Sequence, residues 1–344
     1  MDSIPSLTSL NVKSITRQIE KAETILLSTH KQCDGDGLGA MLGLYHALKK
    51  IGKKVRVFTV DEVPPKYSYL KPEKYLDIFE QPHKDIETTD LCLIFDTNDK
   101  RLVEPLYSEL ENKVRNILFV DHHPILNQGP EPTAGSFIET NAASTGEIAY
   151  FIIKDLGIRM DENIAQSLYT SITFDTQIFR YVKGASSSHL ICAELLKYVS
   201  EPEEIHRHLF ATFSQGKIAF LAKVLSEIEY HANGQIAILK LSLEDINKNQ
   251  LHLDDSRDVI DMIMNVTTVI TAALFRQDTE NGYKMSLRSK DKIEVLGIAE
   301  NYGGGGHMHA AGAFIEGEYN KIKNDVVNQL LQRLDDHSSK TNEK

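Results

Sequence analysis

Three side chains that can bind a metal ion or transfer a proton stand together in the middle of the sequence. Asp121, His122 and His123 come directly after the apolar run 116–120, which has the composition of a buried strand. Pro124 forbids ordinary strand continuation because it has no N–H to donate. Open α/β sheets bind ligands at the C-terminal ends of their strands, so the tripeptide lies where a site is expected. Taken alone, it is more typical of a capping aspartate and a hydrogen-bonded core histidine.

Ligands of the same kind follow apolar or helical segments elsewhere in the chain: His30, Asp34 and Asp36 after the run 24–28, Asp96 after the run 91–95, and Asp175 after a helical pattern. Carboxylates and neutral imidazoles suit Mn²⁺ or Mg²⁺, and the absence of C-x-x-C pairs argues against a structural zinc site. These are more ligands than one ion needs. They suit two ions that share a bridging carboxylate, which is a hydrolytic arrangement.

The order of these motifs resembles that of the DHH phosphoesterase superfamily. Its four motifs are matched in order by H-K-Q-C-D-G-D-G-L-G-A, L-I-F-D-T-N-D, V-D-H-H-P and F-D-T, and G-G-G-G-H-M-H-A-A-G is similar to the signature of its DHH-associated C-terminal domain. The nearest branch is the bacterial oligoribonuclease (nanoRNase) and 3′-phosphoadenosine-5′-phosphate phosphatase group. The resemblance covers nearly the whole chain.

The resemblance implies a ligand set for two Mn²⁺ ions, with Mg²⁺ as a possible substitute. The first ion takes His30 and Asp34, and Asp96 bridges to the second. The second ion is completed by Asp36, His122 and Asp175. The D-x-D turn supports this assignment, since its glycines let the backbone fold tightly enough to aim two carboxylates at different ions.

Three further residues of this region are candidates for catalytic roles. Asp121 would orient a metal-bound imidazole, because such an imidazole usually gives its other N–H to a carboxylate or carbonyl. His123 would contact the scissile phosphate. Arg180 would reach a substrate phosphate, and a surface role for it is equally open. Asn98 and Asp99 follow Asp96, and we interpret them as helix caps.

Two residues depart from the family pattern. Cys33 stands where proline is usual, and Gln177 stands where glycine is common. A small buried cysteine is most often inert packing, which is our interpretation of Cys33. Gln177 puts the shape of the substrate pocket in question, but not the metal ligands.

The glycine run near the C-terminus is the second candidate site. By composition alone it could be a flexible linker, but it is short and lies between a helical pattern and an apolar segment. Consecutive N–H groups without Cβ atoms can form an anion nest. The resemblance implies that this run holds the nucleotide end of the substrate, together with a strand arginine that pairs with a phosphate. The substrate-binding candidates are Arg288, Ser289, Gly303, Gly304, Gly305, Gly306 and His307.

The implied activity is metal-dependent hydrolysis of short oligoribonucleotides, from dinucleotides to few-mers, to nucleoside monophosphates. A second implied substrate is 3′-phosphoadenosine-5′-phosphate. Within the superfamily, the alternative substrates are linear or cyclic dinucleotide second messengers. A manganese pyrophosphatase fits less well, because its second domain lacks the glycine–histidine signature. An alternative of another class is a non-catalytic nucleotide- or RNA-binding module, against which the intact ligand set argues.

Composition limits the partners. The net charge of −11 over 344 residues argues against long nucleic acid, which basic surfaces bind, so a short RNA or dinucleotide held locally is expected. No apolar run is long enough for a membrane span, and the first residues lack a secretory pattern. The three cysteines form no C-x-x-C pair, which favours a reducing cytoplasm. A homodimer is left open.

Alternating strand and helix patterns predict an α/β protein. We expect a parallel-sheet DHH catalytic domain over 1–187, a helical linker over 188–208, a smaller mixed α+β DHH-associated substrate-binding domain over 209–337 and a polar tail over 338–344. In the second domain the pattern predicts one helix over 209–230. It also predicts paired strands over 268–276 and 283–288, with a turn signal at Asn281–Gly282.

Overall fold

The computed structural model describes residues 9–81, 85–125, 129–211, 213–248, 255–290 and 293–342. The chain divides into two compact units, Met1–Thr212 and Phe213–Lys344. The segment 188–208, for which a linker was predicted, lies within the first unit. The predicted start of the second domain at residue 209 falls close to the division.

The first unit is built on a six-stranded sheet whose paired strands all run parallel, as predicted. Its strands are β1 (Thr24–Thr29), β2 (Lys54–Thr59), β3 (Asp77–Ile78), β4 (Thr89–Phe95), β5 (Val114–Asp121) and β6 (Phe137–Ile138). Their order across the sheet is β3-β2-β1-β4-β5-β6. The chain moves from β1 towards one edge and then continues on the other side with β4. A crevice therefore forms at the C-terminal ends of β1 and β4, the position where such sheets bind ligands.

Two apolar layers cover this sheet. The helices of the unit are α1 (Ser9–Lys21), α2 (Gly35–Lys50), α3 (Leu106–Lys113), α4 (Thr145–Asp155), α5 (Glu162–Asp175), α6 (Ser187–Leu195) and α7 (Pro202–Phe210). Ile25 and Leu27 pack in the layer that contains α1, α2, α4 and α5, whereas Leu26 packs in the layer that contains α3. Because both faces are covered, the strands read as continuous apolar runs rather than as alternating ones.

Helices α2 and α5 pack very closely, and this packing positions the start of α2 beside the end of α5. At Gly39 a methyl group would lie 2.4 Å from the Ser167 carbonyl oxygen and 2.8 Å from the Ser171 nitrogen. At Gly43 it would lie 2.8 Å from a Leu168 methyl group. Residues nearer the C-terminus of α2 contact residues nearer the N-terminus of α5, so the two helices run antiparallel. Their junction therefore brings the D-G-D-G turn next to Asp175.

We expect Gly39→Ala to lower the free energy of unfolding by about 1–3 kcal/mol, the usual cost of forcing an extra methyl into a packed interior. Chemical denaturation followed by circular dichroism measures the change. Gly305→Ala is the matched control, because a methyl group there meets nothing within 4 Å. Equal stability of the two variants would contradict the close packing of α2 on α5.

The second unit contains a separate six-stranded mixed sheet. Its strands are β7 (Glu229–His231), β8 (Ile236–Leu241), β9 (Thr271–Gln277), β10 (Gly282–Ser289), β11 (Gly305–His307) and β12 (Ala310–Glu316). The order is β11-β12-β10-β9-β8-β7, with β8 and β9 parallel and the other neighbours antiparallel. The predicted pair of strands on either side of Asn281–Gly282 is β9 and β10.

Helices cover both faces of the second sheet. They are α8 (Gln215–Ser226), α9 (Leu243–Lys248), α10 (Asp255–Met264), α11 (Leu296–Glu300) and α12 (Tyr319–Asn342). Phe275 and Met285 pack with α11 and α12, whereas Leu239 and Leu274 pack with α8 and α10. The unit therefore has a core of its own.

The predicted single helix over 209–230 is wrong. Helix α7 ends at Phe210, and α8 begins after Ser214, whose Oγ accepts a hydrogen bond of 3.0 Å from the Lys217 N–H. This N-cap starts a new helix in the middle of the predicted one. The segment Glu229–His231 is strand β7 instead of helix, since it pairs with β8.

Helix α12 is the longest described helix, with 24 residues, and it extends to Asn342. It therefore includes most of the segment 338–344 for which a polar tail was predicted. Neither α12 nor any other helix in the described ranges is both long enough and apolar enough to cross a membrane.

The three cysteines lie in the interior of the first unit. Cys33, Cys92 and Cys192 are free thiols, and none is more than 2% exposed. Burial raises the pKa of all three thiols, so that the nucleophilic thiolate is disfavoured. Inert packing, as predicted for Cys33, agrees with this burial.

Candidate metal centre

The first sheet and two helix ends bring the predicted metal ligands together at the crevice. His30 follows β1, Asp96 follows β4 and His122 follows β5. Asp36 lies in the first turn of α2, and Asp175 is the last residue of α5. Residues that are far apart in sequence thus converge at the C-terminal edge of the sheet.

Among the described residues, three overlapping groups could hold a metal ion, and in each group the ligand atoms lie within 4.8 Å of one another. The groups are His30 with Asp34 and Asp96, Asp36 with His122 and Asp175, and Asp96 with His122 and His123. All six predicted ligands belong to these groups. Asp96 belongs to two of them, which is the position that a bridging carboxylate requires.

The imidazole of His122 faces three carboxylates. Its Nε2 lies 3.5 Å from Asp36 Oδ2, 3.5 Å from Asp175 Oδ2 and 3.7 Å from Asp96 Oδ1. Nε2 is buried and has no hydrogen-bond partner in the part of the chain that is described. A buried polar atom without a partner costs about 1–3 kcal/mol. A cation held between Nε2 and the carboxylates would remove this cost.

Both imidazole ligands have a second nitrogen beside a carbonyl oxygen. His122 Nδ1 lies 3.2 Å from the Ala142 oxygen, and His30 Nδ1 lies 2.8 Å from the Lys31 oxygen. With Nδ1 donating its N–H to the carbonyl oxygen, each ring has its lone pair on Nε2, where a metal ion can bind. A hydrogen bond from the other ring nitrogen to a carbonyl oxygen is usual for a metal-bound histidine. His30 Nε2 then points at Asp34 Oδ1 and Asp96 Oδ2, at 3.9 and 3.6 Å.

The centre concentrates negative charge in a buried place. Burial and the charges of Asp36 and Asp34 raise the pKa of both Asp96 and Asp175 well above the usual value. Burial also raises the pKa of Asp36 to about 6. Carboxylates whose pKa values rise for this reason cannot all ionise without nearby positive charge. The arrangement therefore favours the binding of cations.

The pKa values of the two histidines of the D-H-H motif are shifted in opposite directions. Burial, with the charges of His123 and Lys183, lowers the pKa of His122 to about 3, so this ring is neutral as a metal ligand must be. Burial also opposes charge on His123, but the hydrogen bond with Asp121 and the charge of Asp96 raise its pKa to about 9.

Asp121 is fully buried and acts as an acceptor for the motif that it begins. Its Oδ1 accepts from the N–H groups of His122 and His123 at 2.8 and 3.2 Å and lies 2.9 Å from His123 Nδ1. Its Oδ2 accepts from Asn98 Nδ2 at 2.7 Å. Burial raises the pKa of Asp121, but the hydrogen bond and charge of His123 outweigh it, so the net shift is downward. These contacts hold the His123 ring and the backbone of the motif, whereas Nδ1 of the predicted ligand His122 faces the Ala142 oxygen instead.

The capping interpretation fails for Asn98 and holds for Asp99. Asn98 Nδ2 bridges Asp121 to the carbonyl oxygen of His123, which it contacts at 3.0 Å. Asp99 caps a short 3₁₀ turn by accepting from the Arg101 N–H at 3.0 Å. The sequence carries no local signal for the Asn98 contacts, because their partners follow more than 20 residues later.

The N-terminus of α4 holds Asp36, which sequence reasoning missed. The N–H groups of Thr145 and Gly146 donate to its carboxylate at 2.8 and 3.1 Å, and Ser171 Oγ also donates to it. Gly146 has no room for a side chain, since a methyl group would lie 2.1 Å from Ser171 Oγ. Helix N-termini stabilise negative charge. Ser144 caps this helix by accepting from the Glu147 N–H, and a serine before a helical pattern was the available signal for an anion-holding end.

Asp96 has a left-handed backbone conformation, with φ of 62°. Non-glycine residues seldom adopt this conformation outside functional sites. Gly37 leaves the space that the conformation needs, because a methyl group there would lie 2.1 Å from Thr29 Oγ1 and 3.2 Å from Asp96 Cβ. Thr145 Oγ1 donates to Asp96 Oδ1 at 3.2 Å. The position of this carboxylate is therefore fixed from several sides.

Three successive residues after Asp175 are also left-handed. Gln177, Ile178 and Phe179 have φ values of 47°, 57° and 64°. Glycine adopts such values at no steric cost, which explains why the family often has glycine where this chain has Gln177. The neighbouring Arg180 is exposed, and no hydrogen bond or ion pair of its side chain is found in the described ranges.

Lys183 ties this turn to the metal centre. Its Nζ donates to the Thr140 carbonyl oxygen at 2.9 Å and lies 3.3 Å from His122 Nδ1. Lys183 was not among the predicted site residues, and a lone lysine in a loop gives no sequence signal of such a contact.

We expect Gln177→Gly to raise the free energy of unfolding by up to about 1 kcal/mol. A left-handed residue costs about 1–2 kcal/mol, and the greater freedom of unfolded glycine offsets about 0.5–1 kcal/mol of the relief. The matched control is Gln166→Gly in the interior of α5, which should lose about 1 kcal/mol. A Gln177→Gly protein as destabilised as this control would contradict the strain at residue 177.

Two predicted substrate residues of the second unit, Arg288 and His307, lie on one face of its sheet. Arg288 on β10 pairs with Ala310 on β12, which in turn pairs with His307 on β11. Residues that are directly opposite one another project from the same face. Arg288 Nε lies 3.6 Å from Asp261 Oδ1, and Ser289 Oγ donates to the Ile293 carbonyl oxygen at 2.6 Å.

The predicted anion nest of the glycine run is wrong in its form. The N–H groups of Gly303 and Gly304 donate to the carbonyl oxygens of Glu300 and Ala299, each at 2.9 Å, and so end helix α11. Gly303 has φ of 71°, as a helix-ending glycine often does. Gly305 to His307 form the exposed edge strand β11. The run therefore offers a strand edge instead of four consecutive free N–H groups.

Comparison with known proteins agrees with this architecture. The family described as DHH family, N-terminal domain, matches residues 24–172, and the DHHA1 domain matches residues 233–338. A relative from Thermus thermophilus, named bifunctional oligoribonuclease and PAP phosphatase NrnA, is 30% identical over 296 residues, which cover 85% of this chain and 84% of the relative.

Two solved structures share the fold. An exopolyphosphatase-related protein from Bacteroides fragilis superposes with a TM-score of 0.85 at 24% identity, covering 95% of this chain and 98% of that protein. RecJ from Thermus thermophilus, solved in complex with Mn²⁺, superposes with a TM-score of 0.57 at 15% identity, covering 98% of this chain and 56% of that protein.

Proposed function

This chain belongs to the DHH family, in the branch of the bifunctional oligoribonucleases and PAP phosphatases, and from this membership we propose that it is a metal-dependent phosphoesterase. Its proposed substrates are short oligoribonucleotides, from dinucleotides to few-mers, which it hydrolyses to nucleoside monophosphates. We propose 3′-phosphoadenosine-5′-phosphate as a second substrate, in line with the name of the Thermus relative.

The observation that carries the proposal is the buried Nε2 of His122, which lies among three carboxylates and has no hydrogen-bond partner among the described residues. This donor set suits a divalent cation with mixed oxygen and nitrogen ligands. We propose that His30, Asp34 and Asp96 hold one ion and that Asp36, Asp96, His122 and Asp175 hold the other. Mn²⁺ is the proposed ion, with Mg²⁺ as a substitute, and Mn²⁺ is also the ion named for the RecJ structure.

Bound divalent cations supply positive charge to the phosphoryl oxygens and lower the pKa of water towards neutrality. The chain itself positions the groups around them. Asp121 and Asn98 fix the backbone and the ring of the D-H-H motif. The ring of His123, with a side chain 39% exposed, is held by Asp121 and is the proposed contact to a phosphoryl oxygen. Arg180 is the proposed second contact from the exposed turn after Asp175.

A substrate panel tests the proposed activity. Purified protein with Mn²⁺ is incubated with 5′-labelled di- to decaribonucleotides, pApA, cyclic diadenylate and 3′-phosphoadenosine-5′-phosphate. The proposal predicts the highest kcat/KM for the shortest oligoribonucleotides, with nucleoside monophosphates as products. Preference for cyclic diadenylate or pApA would favour the second-messenger alternative, and binding without turnover of any substrate would favour the non-catalytic alternative.

We further propose that the second unit recognises the nucleotide end of the substrate through Arg288 and His307, with Ser289 and the edge strand Gly305–His307 beside them. The support is that Arg288 and His307 project from one face across three strands. The side chain of Arg288 is 29% exposed, so its guanidinium can reach a phosphate, and a short strand of glycines leaves room for a ligand.

Arg288→Ala and His307→Ala should each lower kcat/KM for a diribonucleotide by about one to two decades, the scale of a charge-assisted hydrogen bond. Binding energy from a remote part of the substrate positions the scissile phosphate, so its loss affects only substrates that have this part. Bis-p-nitrophenyl phosphate has no second nucleotide, and its hydrolysis should stay near the wild-type rate.

Lys284→Ala is the matched control, because Lys284 is an exposed cation on the same strand as Arg288. This variant should hydrolyse both substrates like the wild type. A parallel loss of both activities in Arg288→Ala and His307→Ala would mean that these residues support the fold or the metal centre, and recognition by the second unit would be refuted.

A further inference from the structure

A cavity of about 500 Å³ lies at the edge of the first sheet opposite to the metal centre. It is bordered by α1 and by the first residues of β4 and β5, where Asp90 and Arg115 are the second residues of their strands. Strands rise about 3.3 Å per residue, so the length of the sheet separates this cavity from the ligands at the strand ends. The catalytic proposal makes no use of it.

Four basic side chains and one acidic side chain line the cavity: Lys13, Arg17, Lys21 and Arg115, with Asp90. The three cations of α1 recur every four residues and so lie along one face of the helix. Like charges at this spacing repel and destabilise a helix. The whole chain carries a net charge of −11, so this basic cluster runs against its overall charge.

Few acidic groups of the described residues neutralise the charge of these basic side chains. In the described ranges the side chains of Lys13, Arg17 and Lys21 have no hydrogen bond or ion pair. Arg115 reaches Asp90 Oδ1 only at 3.7 Å. The other oxygen of Asp90 accepts from the N–H groups of Glu23 and Thr24 at 3.0 and 3.1 Å. Asp90, the acidic residue of the cavity, therefore binds backbone N–H groups more closely than it binds the cations.

We propose that this cavity is a second ligand site that binds a small molecule carrying a phosphate dianion. The volume lies in the range of small-molecule pockets, about 300–1,000 Å³. Two guanidinium groups and two ammonium groups are the side chains that bind phosphate. Walls in which one charge sign predominates also concentrate the electrostatic potential in a cleft. The site stands independently of the proposed activity.

Isothermal titration calorimetry of the metal-loaded protein tests the site with inorganic phosphate, pyrophosphate and adenosine monophosphate as separate ligands. Arg17→Ala/Arg115→Ala should weaken binding at this site by about ten-fold or more, because charge-assisted hydrogen bonds are lost. The matched control is Lys197→Ala/Lys284→Ala, which removes two exposed cations elsewhere and should bind like the wild type. Anions bound at the metal centre contribute equally to all three proteins and cancel in the comparison.

The three ligands of this experiment distinguish a nucleotide phosphate from an inorganic one. Tighter binding of adenosine monophosphate than of pyrophosphate identifies a nucleotide ligand, and the reverse order identifies an inorganic one. Affinity at this site should fall as salt rises from 50 to 300 mM, because the cations are exposed and screened, with a Debye length of about 10 Å at 0.1 M. Hydrolysis of a diribonucleotide without added anion should be unchanged in the Arg17→Ala/Arg115→Ala protein.

Equal affinities of the wild type and the Arg17→Ala/Arg115→Ala protein would overturn the proposal. If this protein melts early, Lys13→Gln/Lys21→Gln replaces it and must show the same loss of binding. A protein that binds none of the three anions here but self-associates through this face, with a mass that falls in Arg17→Ala/Arg115→Ala, would also overturn it, because the cations would then dock an acidic protein surface.

Discussion

Removal of divalent cations should abolish hydrolysis of a diribonucleotide, and added Mn²⁺ should restore it. The reason is the cluster of buried carboxylates around His122 Nε2, which is poorly compensated without positive charge. Mn²⁺ should restore activity better than Ca²⁺, since Ca²⁺ prefers six to eight oxygen ligands and imidazole suits transition metals. Initial rates after dialysis against a chelator, with metal content measured in parallel, give the result.

Circular dichroism of the metal-free protein is the control for this experiment, because activity must be lost without loss of fold. The hydrophobic layers on both faces of the first sheet do not involve the ligands, so the secondary structure should be retained. Full activity in a sample that is verified to be metal-free would refute the metal-dependent proposal.

Asp96→Ala should lower kcat by about two to three decades, which is the usual loss when one stabiliser of transition-state charge is removed. Asp96 Oδ2 lies 3.6 Å from His30 Nε2 and Oδ1 lies 3.7 Å from His122 Nε2, so this carboxylate serves both ligand groups. We therefore expect the variant to lose both ions. Asp36→Ala should lose mainly one, because Asp36 belongs to a single group. Metal analysis and rates are measured on the same samples.

Asp99→Ala is the matched control, since Asp99 lies three residues from Asp96 and its carboxylate contacts Arg101 rather than the predicted ligands. It should keep both ions and most of the activity. A wild-type metal content in Asp96→Ala, with activity within a few-fold, would rule out the bridging role.

The convergence of the predicted metal ligands could be expected from the sequence, because each follows a recognisable segment. The apolar runs 24–28, 91–95 and 116–120 predicted the strands, and the C-terminal ends of parallel strands lie at the same edge of a sheet. Acids and imidazoles just past those ends therefore had to converge. The arrangement depends on strand direction and spacing, both of which local patterns contain.

The residues that hold the ligands could not be found in the same way. Asn98 reaches Asp121, and the N-terminus of α4 reaches Asp36 across more than 100 residues of sequence. Such contacts follow from tertiary packing, and no local periodicity in the sequence indicates them. Lys183 and Ser171 were missed for the same reason.

The glycine run shows the opposite failure, in which composition suggested too much. Four successive glycines can form an anion nest, but they can equally end a helix and start an edge strand. The hydrogen bonds of Gly303 and Gly304 to the last turn of α11 show that the run ends a helix and starts an edge strand. Similarly, the helical pattern over 209–230 concealed the cap at Ser214, because apolar spacing alone does not mark a break.

The burial of Cys33, Cys92 and Cys192 has a practical consequence for spectroscopy. Alkylating dyes react with exposed thiolates, so the native chain should remain unlabelled under mild conditions. A single cysteine introduced on the surface would then be a unique attachment point without removal of the native ones.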